Sequence, residues 1–299
     1  MPSAGNARTE LESFFRVALT KVDADLAAGL PLHLAAGHID DDLWVMLHVA
    51  DLTPYPGLKK RMPSMPDPEM QQVWVSMSGI DAMLEAGEFL RVVRNMHSRF
   101  MPHVPVGESR VLDFGCGWGR ITRLLSKDWT EANIFGCDPS ADAIDACWKS
   151  GVIGTFAVSD RANRSLPYAQ AFDVVTAFSV FTHFSESLHR TTLETLARSI
   201  RSGGMLILTV RPRYSLRTRS GWPRSPELSA TELADMLARY DRGQYVFEPL
   251  YLGEEGSDWG NSWIPCTFIE EEWTRWFEPV AYSLLPAYRQ QFVVSLKRR

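Results

Sequence analysis

From Val111 to Arg120 the chain reads Val-Leu-Asp-Phe-Gly-Cys-Gly-Trp-Gly-Arg, with three glycines at alternate positions between an apolar run and an amphipathic segment. Such a stretch folds as a strand, a tight turn and the start of a helix. Glycine is required because the turn takes backbone angles that other residues avoid, and because a missing side chain lets a ligand touch the main chain. A helix amino terminus placed after the turn would present unpaired N–H groups suited to a ligand carboxylate. A dinucleotide fingerprint needs glycine at its first, third and sixth positions; counted from Gly115 the sixth position is Arg120, so nicotinamide-dinucleotide binding fails on spacing.

Beyond this turn, short apolar runs alternate with helical segments, which predicts an α/β fold with a parallel sheet and crossover helices. Strands are expected at 110–114, 133–137, 154–159, 173–178 and 205–210, with helices at 120–127, 141–149 and 187–200. Two further strands, 280–285 and 291–296, are able to pair as a hairpin. Thr267 and Glu270 have the form of a capping box opening a helix through Trp276. Upstream, three- and four-residue apolar steps predict helices over 9–30 and 80–100. Between Thr53 and Pro68 five prolines predict an irregular loop. The division expected is therefore residues 1–105 as an amino-terminal helical cap or substrate region and 106–299 as the main domain, with an inserted lid at about 213–266.

The run from Asp113 to Gly119 resembles the first motif of class I S-adenosylmethionine-dependent methyltransferases, an acidic residue followed by Gly-x-Gly-x-Gly. The resemblance extends over about 106–296. It includes Asp138 at the end of a second strand, Asp160 at the end of a third, Ser165 to Tyr168 before Phe172-Asp173-Val174-Val175, and the Ser202-Gly203-Gly204 turn. It implies a Rossmann-like, doubly wound, mostly parallel sheet with a reversed carboxyl-terminal strand, and S-adenosylmethionine (SAM) as cofactor. By this resemblance the cofactor residues are Asp113, Gly115, Cys116, Gly117, Gly119, Arg120, Asp138, Pro139, Asp160, Arg161, Phe178 and Ser179. Asp138 would accept from the ribose hydroxyls, since a carboxylate can take two hydrogen bonds from a vicinal diol, and Asp160 would accept from the adenine amino group. Asp113 admits two roles, toward the ligand or toward its own loop. Trp118 likewise admits a ligand-flanking or a core position.

Methyl transfer is an in-line displacement at a sulfonium carbon, so the protein aligns the acceptor and, for a hydroxyl, removes its proton. His183 stands just past the fourth strand, where ligands sit in such sheets, and is the expected base; a helix-capping or packing role is the other reading. His189 lies within the following helix. Arg211, Arg213, Arg217, Arg219 and Arg224 precede the next acid, Glu227; they either hold an anionic group of the acceptor or form a solvated loop. Of Trp259, Trp263, Phe268, Trp273 and Trp276, the first two are expected at the acceptor pocket and the helical pair at 273 and 276 in the core.

A net charge of -5 and an isoelectric point near 5.8 give no general attraction to polyphosphate. The segment Phe178-Ser179-Val180-Phe181 is not the Asn/Asp-Pro-Pro-Tyr type found in nucleic-acid amino-methylating enzymes, so nucleic acid is not an expected partner. No apolar stretch approaches the roughly 18 residues of a membrane span, and the first ten residues carry no signal-peptide core; the expected location is cytoplasmic. The four cysteines show neither paired spacing nor disulfide-scaffold density, so free thiols and no metal are expected. The reaction expected is methyl transfer to oxygen or nitrogen of a small-molecule acceptor, with saccharides or glycosylated metabolites as the acceptor class. The alternatives are a SAM-binding regulatory or assembly protein and a protein or nucleic-acid methyltransferase. The amino-terminal helices could join two copies into a homo-oligomer.

Overall fold

The computed structural model describes residues 4–218, 228–250, 258–285 and 291–299, with side chains described from residue 15. Six helices come first: α1 (Ala4–Ala27), α2 (Leu32–Ala35), α3 (Asp41–Leu47), α4 (Pro56–Arg61), α5 (Pro68–Val75) and α6 (Gly79–Phe100). The prolines between 53 and 68 do not keep the chain irregular, contrary to expectation. Pro56 and Pro68 each open a helix, at the position where a missing N–H costs nothing, and Pro63 and Pro66 separate the two. Asp40 and Asp67 cap α3 and α5 by accepting from Leu43 N and Glu69 N.

The remainder runs β1 (Val111–Phe114), α7 (Thr122–Leu125), β2 (Ile134–Asp138), α8 (Ala141–Lys149), β3 (Thr155–Val158), β4 (Phe172–Ala177), α9 (Glu186–Ser199), β5 (Ile200–Val210), α10 (Ser215–Thr218), α11 (Ala230–Asp241), β6 (Val246–Pro249), β7 (Gly260–Trp263), α12 (Cys266–Glu272), β8 (Phe277–Leu284) and β9 (Phe292–Arg298). A seven-stranded sheet has the order β3-β2-β1-β4-β5-β9-β8. All its pairings are parallel except those of β9, which runs antiparallel to β5 on one side and β8 on the other. This is the doubly wound sheet with a reversed carboxyl-terminal strand that the resemblance implied.

Because side chains alternate across a strand, neighbouring residues separate into two cores. Val111, Val174, Met205, Ile207 and Val293 face Trp44, Phe89, Leu90 and Val93 of the amino-terminal helices. Leu112, Val175, Leu206, Leu208 and Val294 face Leu188, Leu193 and Leu196 of α9, together with Trp273 and Phe277. With both faces covered, β1, β2 and β4 are buried at every position. The amino-terminal helices thus pack on one face of the sheet and share its core with residues of α7 and α8.

Two local expectations are corrected. The helix after the glycine turn spans only Thr122–Leu125, because turns continue through Ile121 and Ser126 closes it back on Arg123 O. The capping box at Thr267 is not formed: Pro265 occupies the cap position of α12, and the helix passes into a 3-10 turn at Trp273–Arg275. A capping box forms instead at Ser229 and Glu232, opening α11. Within 213–266, the described residues build α10, α11 and the two-stranded β6–β7 ribbon around a small core of Leu216, Met236, Val246 and Trp263.

Candidate active site

The sheet order turns back between β1 and β4, and in sheets of this kind ligands bind at the carboxyl ends of the strands flanking that point. A cavity of about 490 Å³ lies there, walled by the glycine turn, Asp138 to Ser140, Arg161, Asn163, Phe178 to Val180, His183, Phe184, Trp259, and Trp74, Val75 and Glu85 from the amino-terminal helices.

Gly115, Gly117 and Gly119 all have positive φ, at +73°, +52° and +79°. Each serves differently. A Cβ on Gly115 would collide with Val180 Cγ2, one on Gly119 would press on Cys147 Sγ and Val152, while at Gly117 the nearest atom is Trp74 Cε3 at 3.8 Å. Gly117 therefore leaves its main chain bare toward the cavity. Gly119 does not reach the cavity wall and seats the turn against α8.

Asp138 closes β2 and ties the turn in place: Oδ2 accepts from Gly117 N at 3.0 Å and Oδ1 from Ser140 N at 2.9 Å. Burial pushes its carboxyl pKa up against these two N–H bonds. Each oxygen keeps a lone pair for a ligand hydroxyl. Asp113 is occupied differently. Oδ2 accepts from Thr122 Oγ1 at 2.6 Å and Oδ1 from Thr176 Oγ1 at 3.2 Å, so it knits β1 to β4 and α7 from beneath the cavity, with burial raising its pKa to about 6. Trp118 is buried under the turn with the Arg123 guanidinium 4.7 Å from its ring, and it also borders the cavity.

Of the expected cofactor residues, Asp113, Gly115, Cys116, Gly117, Arg120, Asp138, Pro139, Arg161, Phe178 and Ser179 line the cavity. Asp160 does not. It is exposed, and its carboxylate accepts from Ala162 N and Arg164 N in a turn of its own, which lowers its pKa. Its neighbours Arg161 and Asn163 reach the wall instead, Asn163 taking a φ of +54° and donating to Thr192 Oγ1.

The expectation of His183 as base is corrected by its bonding. Nδ1 lies 2.8 Å from Gly260 O, which fixes the proton there, and Nε2 lies 3.3 Å from Arg211 Nη2. The remaining lone pair thus faces a cation, and burial with the Arg211 charge lowers the pKa to about 3. A ring so held is a wall of the cavity and a poor proton acceptor at neutral pH. Arg211 itself is buried, donating to Thr182 O, and does not line the cavity; Arg213 is held outside by Asp241 at 2.5 and 2.6 Å. Trp263 is wholly buried in the ribbon core and donates to Ser215 Oγ at 2.8 Å, so of the two tryptophans expected at the pocket only Trp259 is there. Arg217 is exposed, and Arg219 and Arg224 lie outside the described residues. Among the described residues there is no cluster of histidine, cysteine, aspartate or glutamate able to hold a metal, and no helix is long and apolar enough to cross a membrane.

Residues 111–204 match the family model of a methyltransferase domain. That segment is a methyltransferase domain, similar in its glycine turn and sheet order to the class I SAM-dependent type. Curated relatives of that domain include a trans-aconitate 2-methyltransferase from Azoarcus sp., 29% identical over 43% of this chain and 48% of that protein, and a demethylmenaquinone methyltransferase from Thermotoga maritima, 32% identical over 38% and 48%. The matched segment spans about half the length of these relatives. A SAM-dependent methyltransferase structure from Mesorhizobium loti shares the fold, with a TM-score of 0.50 at 15% identity over 72% of this chain and all of that one. The residues present fit the cofactor that the domain implies: a bare main chain at Gly117, a buried carboxylate at Asp138, and a cavity lined by aromatic rings.

The residues that sequence reading missed include Trp74, Val75, Glu85, Asn163, Val180 and Phe184. One signal was available for Glu85. It falls on the same four-residue line of α6 as Phe89 and Val93, an acid within an apolar stripe.

Proposed function

We propose that the protein transfers a methyl group from SAM to an oxygen or nitrogen of a small-molecule acceptor. The observation that carries this reading is the positive-φ glycine turn pinned to Asp138 at the mouth of a cavity large enough for an organic cofactor, within a segment that matches a methyltransferase domain. SAM, when bound, supplies an electrophilic methyl carbon. Gly115 to Gly117 and Asp138 hold the cofactor, Arg161 and Asn163 border it at the β3 side, and Phe178, Val180, Phe184 and Trp259 exclude water from the rest of the cavity.

The acceptor reading draws on the part of the wall formed by His183, Phe184 and Trp259, the last two in ring contact at 5.1 Å. A flat or apolar acceptor suits these rings. A saccharide has less support than the sequence suggested, since Trp263 and Arg213, two of the residues expected to bind it, are turned to other partners. The small relatives named above act on different acceptors, and the substrate of this chain is part of the proposal, as are a cytoplasmic location and the absence of nucleic-acid partners.

The test is calorimetric titration with SAM and S-adenosylhomocysteine (SAH), followed by mass spectrometry of metabolite extracts incubated with the protein and SAM for products heavier by one methyl group. Binding plus a methylated product is expected. Binding of neither ligand would remove the reading, and binding without any product would favour a SAM-responsive regulatory protein. Asp138→Ala should weaken SAH by about tenfold or more, since it removes a buried charged acceptor and loosens Gly117 together; unchanged affinity would cancel the ribose assignment.

A further inference from the structure

Glu85 is the one acidic side chain that the amino-terminal helices contribute to the cavity wall, among the described residues, and it lies outside the segment matched by the methyltransferase-domain model. It is 3% exposed, and its carboxylate pairs through Oε2 with Arg120 Nη1. Its second oxygen, Oε1, is cut off from solvent and has no hydrogen-bond partner. A buried carboxylate oxygen left unsatisfied costs free energy that a ligand donor would return. Asp113 and Asp138, the other two acids on the wall, have both oxygens engaged.

The partner of Glu85 narrows what that donor is. Arg120 immediately follows Gly119, so the ion pair sits at the end of the glycine turn, and the guanidinium lies 4.8 Å over the Phe178 ring, which also lines the cavity. Side by side, the two groups present one negative and one positive charge, balanced overall. A single anion or a single cation would be repelled by one member as much as it was drawn to the other. A group carrying an ammonium and a carboxylate on one carbon matches both.

We propose that Glu85 and Arg120 act as a pair that reads the amino-acid end of the cofactor, the Glu85 carboxylate turning its unpaired oxygen to accept from the α-ammonium and Arg120 facing the α-carboxylate. This rests on the reading of the cavity as a SAM site. It makes α6, through Glu85, part of cofactor recognition as well as of the core. Glu85 is a binding residue here and takes no part in moving a proton from the acceptor. Burial raises the Glu85 pKa and the Arg120 charge opposes that rise, so an arriving ammonium would strengthen the ionised form.

The experiment compares SAH with 5′-methylthioadenosine, which keeps the adenosine and sulfur but lacks the amino acid, by calorimetry on wild-type protein and Glu85→Gln. Glutamine preserves shape and still accepts from Arg120. Weakening of SAH by about tenfold, with methylthioadenosine unchanged, is the expected result. Unchanged SAH affinity would overturn the role of Glu85, and so would equal weakening of both ligands, which would mark a general distortion of the site. Should Glu85→Gln fail to fold, the wild-type protein titrated with SAH lacking its α-amino group decides: about tenfold weaker binding than SAH supports the pair, and equal binding overturns it. Wild-type protein that bound neither SAH nor methylthioadenosine would instead overturn the SAM reading itself, so the two failures are distinct.

Discussion

At Gly115 the backbone angle and the space around it make the same demand. With φ at +73°, an L side chain is strained, and a Cβ would run into Val180 Cγ2. Gly115→Ala should lower stability by roughly 2–4 kcal/mol and SAH affinity with it, by denaturant titration and calorimetry. Adding Val180→Ala should restore part of the stability, because it relieves the collision but not the angle; no recovery would show that the angle alone matters. His189 illustrates a different residue-scale effect. It is enclosed by Phe181, Tyr245, Phe268 and Trp273, and burial together with the Arg190 charge lowers its pKa from 6.5 to about 3. Between those pH values the unfolded chain binds a proton that the folded one refuses. Stability from this group is therefore complete above about pH 6.5 and is lost as pH falls toward 3. His189→Phe should remove that loss, so that its stability relative to wild type rises by about 1.4 kcal/mol for each pH unit below 6. Parallel pH profiles for the two proteins would contradict a neutral buried imidazole.

Among the elements, α6 connects the core to the cavity. Its Phe89 is fully buried and meets Phe178 edge-on at 4.8 Å, while Glu85 one turn earlier reaches the cavity wall. Phe89→Ala should cost about 3–5 kcal/mol and weaken SAH binding by letting Phe178 shift, as read by thermal unfolding and calorimetry; full retention of SAH affinity would uncouple the helix from the site. The strands and their alternation were legible in the chain, because apolar runs such as Val111-Leu112 and Val174-Val175 bury both faces whatever covers them. The short span of α7 and the loss of the Thr267 capping box were not, since each depends on how a turn closes back on distant groups. Asp160 was misplaced for a similar reason. The end of β3 was read correctly, but an acid there can spend its oxygens on its own turn, as Asp160 does, and leave the wall to Arg161 and Asn163.

At the scale of the whole molecule, the amino-terminal helices and the sheet fold as partners. Trp44 donates to Leu124 O at 3.1 Å, and Lys127 and Arg94 gather on Asp41, binding α3 and α6 to the segment after the glycine turn. A chain beginning at Val106 would expose the face of Val111, Val174, Met205 and Val293, and we expect it to lack a cooperative thermal transition and to bind hydrophobic dye. A sharp transition in that fragment would show the sheet to be self-sufficient. The chain alone determined the glycine turn, the sheet and the cofactor type, because these rest on backbone freedom and periodicity, which are local properties. Only the tertiary structure decided that His183 is locked by Gly260 O and Arg211, that Trp263 and Arg213 face away from the cavity, and that Glu85 enters it. Those outcomes turn on which distant groups meet a side chain in space, and a polar residue takes its role from the partners that packing brings to it.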